Sequence, residues 1–428
     1  MELYGKVLLI AMPCFVVLIL IEMGVGLLKG DKINLMDSIS SLFSGMTNIL
    51  KDTLGLTITV LSYPFLHEHL SLINWHPENI VFAYIICFLI MDFGGYWYHR
   101  LCHEINYFWN LHIIHHSSEE YNLSCALRQQ FAVITNIVTM LIYGLLLALV
   151  GIPVEVYAIV APIHLFAQFW YHTKYIKRMG FLEKIIVTPS HHRVHHAMND
   201  IYLDKNYSQI FIIWDKLFGT FQEELETVPP VFGVKRPVRT WNPFLINFQH
   251  FFLLLKDAIR TKSWKDKLTL WFKPTGYRPK DIEEKYPVYY IRDVTQFEKY
   301  NPHYSKGFIT WSELQMTFIF LLMSYLFASF GQLNYQQSLH YGLFLLFSIF
   351  SFTTLMDKKR LGIFTELVKL IWLAVIIYLT GSWFNLERII PNGSILILSL
   401  SIISFCINTW FYWRELRTSE PGASSYIL

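Results

Sequence analysis

The sequence predicts an all-α integral membrane protein, a multi-span helical bundle with a histidine-rich cap on its cytosolic side. Three observations predict it. Charged residues are 16% of the 428 residues against 54% hydrophobic, where soluble domains carry about 25% charged. Apolar runs near 20 residues, the length that spans a bilayer, recur along the chain. Three clusters, His99-x3-His103, His112-x2-His115-His116 and His192-x2-His195-His196, hold eight of the 17 histidines and lie beside those runs.

The runs fall near 7–28, 43–65 (broken by Lys51-Asp52), 79–98, 131–150, 153–172, 308–330, 339–355, 363–380 and 394–413, nine spans in all. The first lacks a basic leader and is too long for a signal h-region, so it reads as a retained span. Its Glu22 is either functional or snorkels to the interface. Gly151-Ile152-Pro153 leaves room only for a hairpin between the fourth and fifth runs. That hairpin returns the chain to its starting face and brings the third histidine cluster to the side of the first two. Basic loops at 357–360 and 414–417, and loops poor in Lys and Arg between, put the C-terminus and the clusters in the cytosol. The expected regions are 1–78 (N-terminal membrane helices), 79–222 (histidine-bearing region), 223–307 (interfacial linker) and 308–428 (four-helix membrane block). The organelle would be the endoplasmic reticulum in a eukaryote and the cytoplasmic membrane in a bacterium.

Net charge is +3 and no aromatic-interleaved basic run appears, so nucleic acid is not an expected partner. The five cysteines form no CxxC pair, which argues against a disulfide framework or a thiolate metal site. The stretch 173–307 carries 22 Lys/Arg against 14 Asp/Glu. Such a face suits anionic headgroups or an acidic electron donor, or is simply a solvated cap.

The clusters carry the chemistry. Helix positions i, i+3 and i+4 share a face, so each cluster aims two or three imidazoles at one point, and imidazole is the commonest metal ligand. His172, four residues after Gln168 at the end of the hairpin, is a ninth candidate. Nine ligands exceed one coordination sphere and suggest a di-metal site with four or five imidazoles per ion. Imidazole suits Zn, Cu, Fe and Ni alike, but iron doing O2 chemistry on a lipid accounts for a site at a membrane face. Asp92, inside an apolar run, is expected to pair with Arg100 or a ligand histidine. Gln168 and Asn206 are further candidates to orient ligands. An apolar cavity should run from the site towards lipid between the 79–98, 131–150 and 153–172 helices, with Trp97, Tyr98, Trp170 and Tyr171 at its mouth. No GxGxxG follows a strand, so reducing equivalents must come from a diffusible cofactor or a partner.

The three clusters, with the Tyr-Trp-x-His-Arg context, resemble the fatty acid hydroxylase / sterol desaturase superfamily of membrane di-iron enzymes. The strings His103-Glu104, Glu119-Glu120-Tyr121-Asn122, Leu127-Arg128-Gln129, Thr188-Pro-Ser-His-His-Arg-Val-His-His196, Asp204-Lys-Asn206-Tyr207 and Ile213-Trp-Asp-Lys-Leu-Phe-Gly resemble its alkylglycerol monooxygenase branch. The resemblance implies two Fe ions on His99, His103, His112, His115, His116, His192, His195 and His196. It also implies tetrahydrobiopterin as electron source, with Glu104 linked to the pterin. The implied reaction hydroxylates the ether-adjacent carbon of an alkylglycerol to release a fatty aldehyde and a glycerol derivative, with O2 and a membrane lipid as substrates. The rivals are a sterol or fatty-acyl hydroxylase or desaturase using a protein electron donor, and, in another class, a histidine-rich metal transporter or sensor. Transporters set their ligands at mid-bilayer, whereas these clusters lie at helix ends.

Overall fold

The computed structural model describes residues 2–54, 58–131 and 134–417. Among them there are no β-strands, only three isolated bridges, including Ile105 with Pro274 and Ile186 with Phe211. The chain folds as two compact units, one of residues 1–54, 239–246 and 300–428, the other of 55–238 and 247–299.

Among the described residues, six helices are long and apolar enough to cross a bilayer: Lys6–Leu28, Ile80–Glu104, Lys306–Ala328, Tyr335–Met356, Leu361–Thr380 and Gly393–Leu416. The protein is therefore a multi-pass membrane protein. Three of the nine expected spans come out differently. The 43–65 run is divided between Leu35–Thr53, with a serine-rich buried face, and Ile58–Leu70; residues 55–57 lie outside the described residues. The two arms of the hairpin are short. One runs from Ile134 to Leu149 with a π-helical turn at Met140–Gly144. The other is Val154–Phe166, about 20 Å at 1.5 Å per residue and too short for a core of about 30 Å.

The second unit holds the histidines. Tyr63, Cys87, Met91, Leu147, Ile152 and Val156 interlock its helices in one buried core. The hairpin turns at Gly151, whose φ of +73° and position against the Ile73 carbonyl leave no room for a Cβ. Its carbonyls are then caught by side chains. Tyr63 Oη donates to Ile152 O at 2.8 Å, Trp75 Nε1 to Val150 O at 3.1 Å, and His67 Nε2 lies 3.3 Å from Gly151 O. Gly94 lets the hairpin press on the Ile80–Glu104 helix, because a Cβ there would strike Tyr143.

In the first unit a cluster of polar groups on the membrane helices is mutually bonded. Glu366 accepts from Lys369 Nζ at 2.7 Å, Ser351 Oγ at 2.6 Å and Asn408 Nδ2 at 2.8 Å. Glu22 is buried in this unit.

Candidate metal centre

All nine candidate histidines converge, and they divide five and four. His99, His103, His112, His116 and His195 form one group; His115, His172, His192 and His196 form the other. Within each group the ligand-capable atoms lie within 4.8 Å of one another. His99 and His103 sit on the last two turns of the Ile80–Glu104 helix. His112–His116 form a single tight turn. His192 and His195 lie on Pro189–His195, whose start is fixed by proline in the first turn and a capping box between Thr188 and His191. His172 stands beyond the end of the Val154–Phe166 helix, in a turn closed by its N–H on Phe169 O. The sequence placed it on the helix itself.

The two His-x2-His-His clusters share their ligands crosswise. In the first, the i and i+4 rings (His112, His116) join the five-membered group and the i+3 ring (His115) crosses over. In the second, His192 and His196 join the four-membered group and His195 crosses over. The i, i+4 spacing keeps two rings on one line while i+3 is rotated off it, so one short motif feeds two centres.

The Nε2 atoms stand 2.8 Å apart for His99–His112, 3.0 Å for His112–His116 and 3.1 Å for His103–His116. In the second group they close a ring: 3.3 Å for His115–His172, 2.9 Å for His172–His192, 3.0 Å for His192–His196 and 3.1 Å for His196–His115. Ligands at about 2.1 Å from one ion stand about 3.0–3.4 Å apart in octahedral or tetrahedral geometry. The other ring nitrogen rules out a hydrogen bond between imidazoles for the His115–His172 pair. His99 Nδ1 donates to Tyr207 O at 2.7 Å, His115 Nδ1 to Arg128 O at 3.2 Å, His172 Nδ1 to Gln168 O at 3.0 Å and His195 Nδ1 to Lys205 O at 3.0 Å. A neutral imidazole has one proton. With it spent on a carbonyl, Nε2 presents a lone pair. His115 and His172 therefore turn two lone pairs on each other at 3.3 Å, and His195 Nε2 is buried with no protein partner. A cation between the rings removes both faults, and a carbonyl behind a ligand imidazole is the usual device for fixing its tautomer. The donor set fits a metal ion in each group.

Electrostatics agree. Burial, then neighbouring imidazoles, hold His112, His116, His192 and His196 well below the ordinary histidine pKa. Burial likewise lowers His115 to about 4, and His191, outside both groups, to about 4. These rings stay neutral at physiological pH, the form in which an imidazole can ligate a metal ion. The sign of the stability effect follows. As pH falls below about 6.5 the unfolded chain takes up protons that the folded chain refuses, so stability is lost with acid. Each depressed ring adds up to about 1.4 kcal/mol per pH unit. Thermal midpoints of metal-free protein should fall progressively from pH 6.5 towards 4; a flat profile would contradict neutral, buried imidazoles.

The remaining candidates brace the centre. Asp92 does not meet Arg100 or a ligand ring. It is wholly buried and accepts from Ile210 N at 2.8 Å, Phe211 N at 3.1 Å, Trp214 Nε1 at 2.8 Å and His164 Nε2 at 3.3 Å. It lies seven residues, two turns, before His99, too deep to reach Arg100, which bonds Glu104 at 2.8 Å instead. Gln168 links His164 to His172: its side-chain amide donates to His164 Nδ1 and its main-chain carbonyl accepts from His172 Nδ1. Asn206 touches no ligand ring; it donates to His191 O and Gln222 O and accepts from Gln222 N, tying the third cluster to the loop behind it. Glu104 is partly exposed at the rim.

Sequence reasoning missed Asp215, which accepts from the N–H groups of Tyr207 and Ser208 at 2.8 Å each and so aims the Tyr207 carbonyl at His99. It also missed the buried clamp of Arg193 on Glu224 at 2.7 Å, with Arg193 reaching Thr173 O and Ile176 O. Asp215 lay in view within a recognised string, but its partners are main-chain N–H groups seven and eight residues back, which no residue letter marks.

An apolar groove of about 360 Å³ opens between the Ile80–Glu104 and Val154–Phe166 helices, lined by Tyr84, Ile85, Phe88, Leu89, Val160, Ile163 and Phe211 and by no candidate histidine. None of Trp97, Tyr98, Trp170 or Tyr171 lines it; Tyr171 packs in a small core with Val187 and Ile212.

Residues 84–220 match the fatty acid hydroxylase family. The chain is 41% identical over 271 residues to the alkylglycerol monooxygenase of Homo sapiens, covering 63% of this chain and 59% of that protein. It is 38% identical to those of Xenopus tropicalis (62% and 58% covered) and Danio rerio (63% and 59% covered). The match thus spans about 59% of the length of these relatives. No solved structure matches.

Proposed function

We propose, on the premise of this likeness to fatty acid hydroxylases and to alkylglycerol monooxygenases, that the chain is an O2-dependent di-iron lipid monooxygenase. Its reaction is hydroxylation of the ether-adjacent carbon of an alkylglycerol, releasing a fatty aldehyde and a glycerol derivative. The observation that carries the reading is the division of nine imidazoles into two groups of close-set ring nitrogens, with the His115 and His172 Nε2 lone pairs facing each other while backbone carbonyls hold their Nδ1 atoms.

Two iron ions, one on His99, His103, His112, His116 and His195 and one on His115, His172, His192 and His196, would supply the O2-derived oxidant that hydroxylation of an alkyl C–H bond requires. The chain's own residues prepare the site. The carbonyls of Tyr207, Arg128, Gln168 and Lys205 lock ring orientation. Burial of the imidazoles excludes bulk water and keeps their protons off. Phe88 in the groove stands eleven residues before His99, about 16 Å along the helix, close to the half-thickness of a ~30 Å core. An alkyl tail lying there leaves its polar end near the histidines. The inner wall is Phe88 edge-on to His164, with ring centroids 5.0 Å apart, so the tail lies beside the Asp92–His164 brace. The active site faces the cytosol in this reading.

Tetrahydrobiopterin supplies the electrons, and Glu104 is the residue that would meet it. Its carboxylate is held by Arg100 Nε at 2.8 Å and remains 41% exposed, so it can accept an amino-pterin N–H pair through charge-assisted bonds. Glu104→Gln should raise the pterin concentration for half-maximal rate roughly 10- to 100-fold, from the 1.5–3 kcal/mol of such bonds, with iron content unchanged. Loss of iron in the variant would instead make Glu104 a support for the ligand His103.

The deciding experiment is purified, iron-loaded protein in detergent or nanodiscs with O2, an alkylglycerol and either tetrahydrobiopterin or a ferredoxin-type donor. Fatty aldehyde formed with pterin alone supports the reading. Turnover of sterols or fatty acyl chains only with the protein donor would replace it.

A further inference from the structure

Residues 247–299 of the histidine-bearing unit carry a face that the catalytic reading does not use. The helix Pro243–Arg260 is amphipathic but is interrupted by Lys256-Asp257 and Arg260, and it is not among the spanning helices. Phe252 and Ile259, seven residues apart, share its outer side. After a short turn, Trp264, Leu268 and Phe272 repeat every four residues along Trp264–Thr269 and the turn that follows. These five side chains are 52–76% exposed. Lys267 joins the two stripes: its Nζ donates to Ala258 O and Ile259 O at 2.9 Å each and lies 5.6 Å over the Trp264 ring.

The apolar ridge is fringed by positive charge. Between residues 251 and 280 there are eight Lys/Arg and two Asp. One of those carboxylates, Asp257, is buried against Arg278 at 2.6 Å and offers nothing outward. Lys262, Lys265 and Lys280 are exposed. Asp281, the nearest further carboxylate, is taken up by Thr261 Oγ1 and the Lys262 N–H.

Bulky apolar residues at the crest and lysines on the flanks are the pattern of a helix lying in the plane of a membrane interface, with apolar groups in the acyl boundary and cations among headgroups. The interleaved lysines exclude burial in the hydrocarbon core. We propose that the Phe252–Phe272 ridge is an interfacial foot that rests on the bilayer and selects anionic phospholipid. Clustered lysines beside an amphipathic helix gain from anionic lipid by roughly fivefold in affinity per charge. An acidic protein is the competing occupant, disfavoured because the crest is apolar and the charge is peripheral.

The test uses the full chain in nanodiscs of phosphatidylcholine with or without phosphatidylserine. A nitroxide is placed through Leu268→Cys, with the exposed Cys14 and Cys406 replaced by serine. The label should be more accessible to O2 than to an aqueous nickel chelate. In parallel, Lys262→Gln, Lys265→Gln and Lys280→Gln should each lower the preference for bound phosphatidylserine over phosphatidylcholine about fivefold, as read by native mass spectrometry. Their iron content should equal the parent's, which separates this outcome from failure of the monooxygenase reading. A label exposed to the nickel chelate, or an unchanged lipid preference in all three variants, overturns the proposal.

Discussion

On the proposed reaction, His195→Ala and His172→Ala will each abolish aldehyde formation, by at least about 100-fold, since even the groups behind metal ligands cost 10- to 100-fold when removed. The two variants probe different ions. His195 completes the group of five, with Nδ1 on Lys205 O and a buried Nε2 that has no hydrogen-bond partner. His172 is one corner of the closed ring of four, so its loss should lower bound iron from about two to about one, by the ligand arithmetic of separate sites. Iron analysis beside the aldehyde assay checks both. Near-normal turnover in either variant would remove that residue from the ligand set. His340 and His69, whose Nδ1 atoms bond carbonyls of their own helices, are suitable controls. His67 is not, because it holds the Gly151 turn.

Asp92→Ala should be the most damaging change outside the imidazoles. It strands four donors in a site with no exposure, those of Ile210, Phe211, Trp214 and His164. Orphaned buried donors and the loss of a buried carboxylate partner together cost about 3–5 kcal/mol, a large share of a typical folding stability. Thermal unfolding in detergent should show a large drop, with iron retention falling in step because the braced loop ends in the residues that set the Tyr207 carbonyl. Asp92→Asn keeps an acceptor and should recover part of the loss. An Asp92→Ala protein with parental stability would show that the four contacts carry no weight.

Much of the centre was legible because helical periodicity converts spacing into direction. His99 and His103, or His192 and His196, must share a face wherever the chain is helical there. The crosswise division of each His-x2-His-His cluster follows from the same geometry. What lay out of reach was what stands behind the rings. The acceptors for His99, His115 and His195 are carbonyls of residues 207, 128 and 205, and a carbonyl has no letter of its own. The partner of Asp92 was missed for a related reason. A charge in an apolar run suggests a countercharge nearby in sequence, whereas the structure meets it with N–H donors over 110 residues away. The helices were legible in composition but not in length. Gly151 and its three side-chain captors stabilise a hairpin whose arms are apolar enough to span and too short to do so.

The opposed lone pairs of His115 and His172 reach beyond catalysis. A fold that places such atoms together without an intervening proton is strained by its own design until metal arrives, and metal that binds only the folded state then stabilises it by mass action. Cells short of that metal would hold this protein in its weaker form, and a deficit of one or two kcal/mol is enough for quality control to change its abundance several-fold. The amount of the protein would therefore report the metal supply before any change in its synthesis.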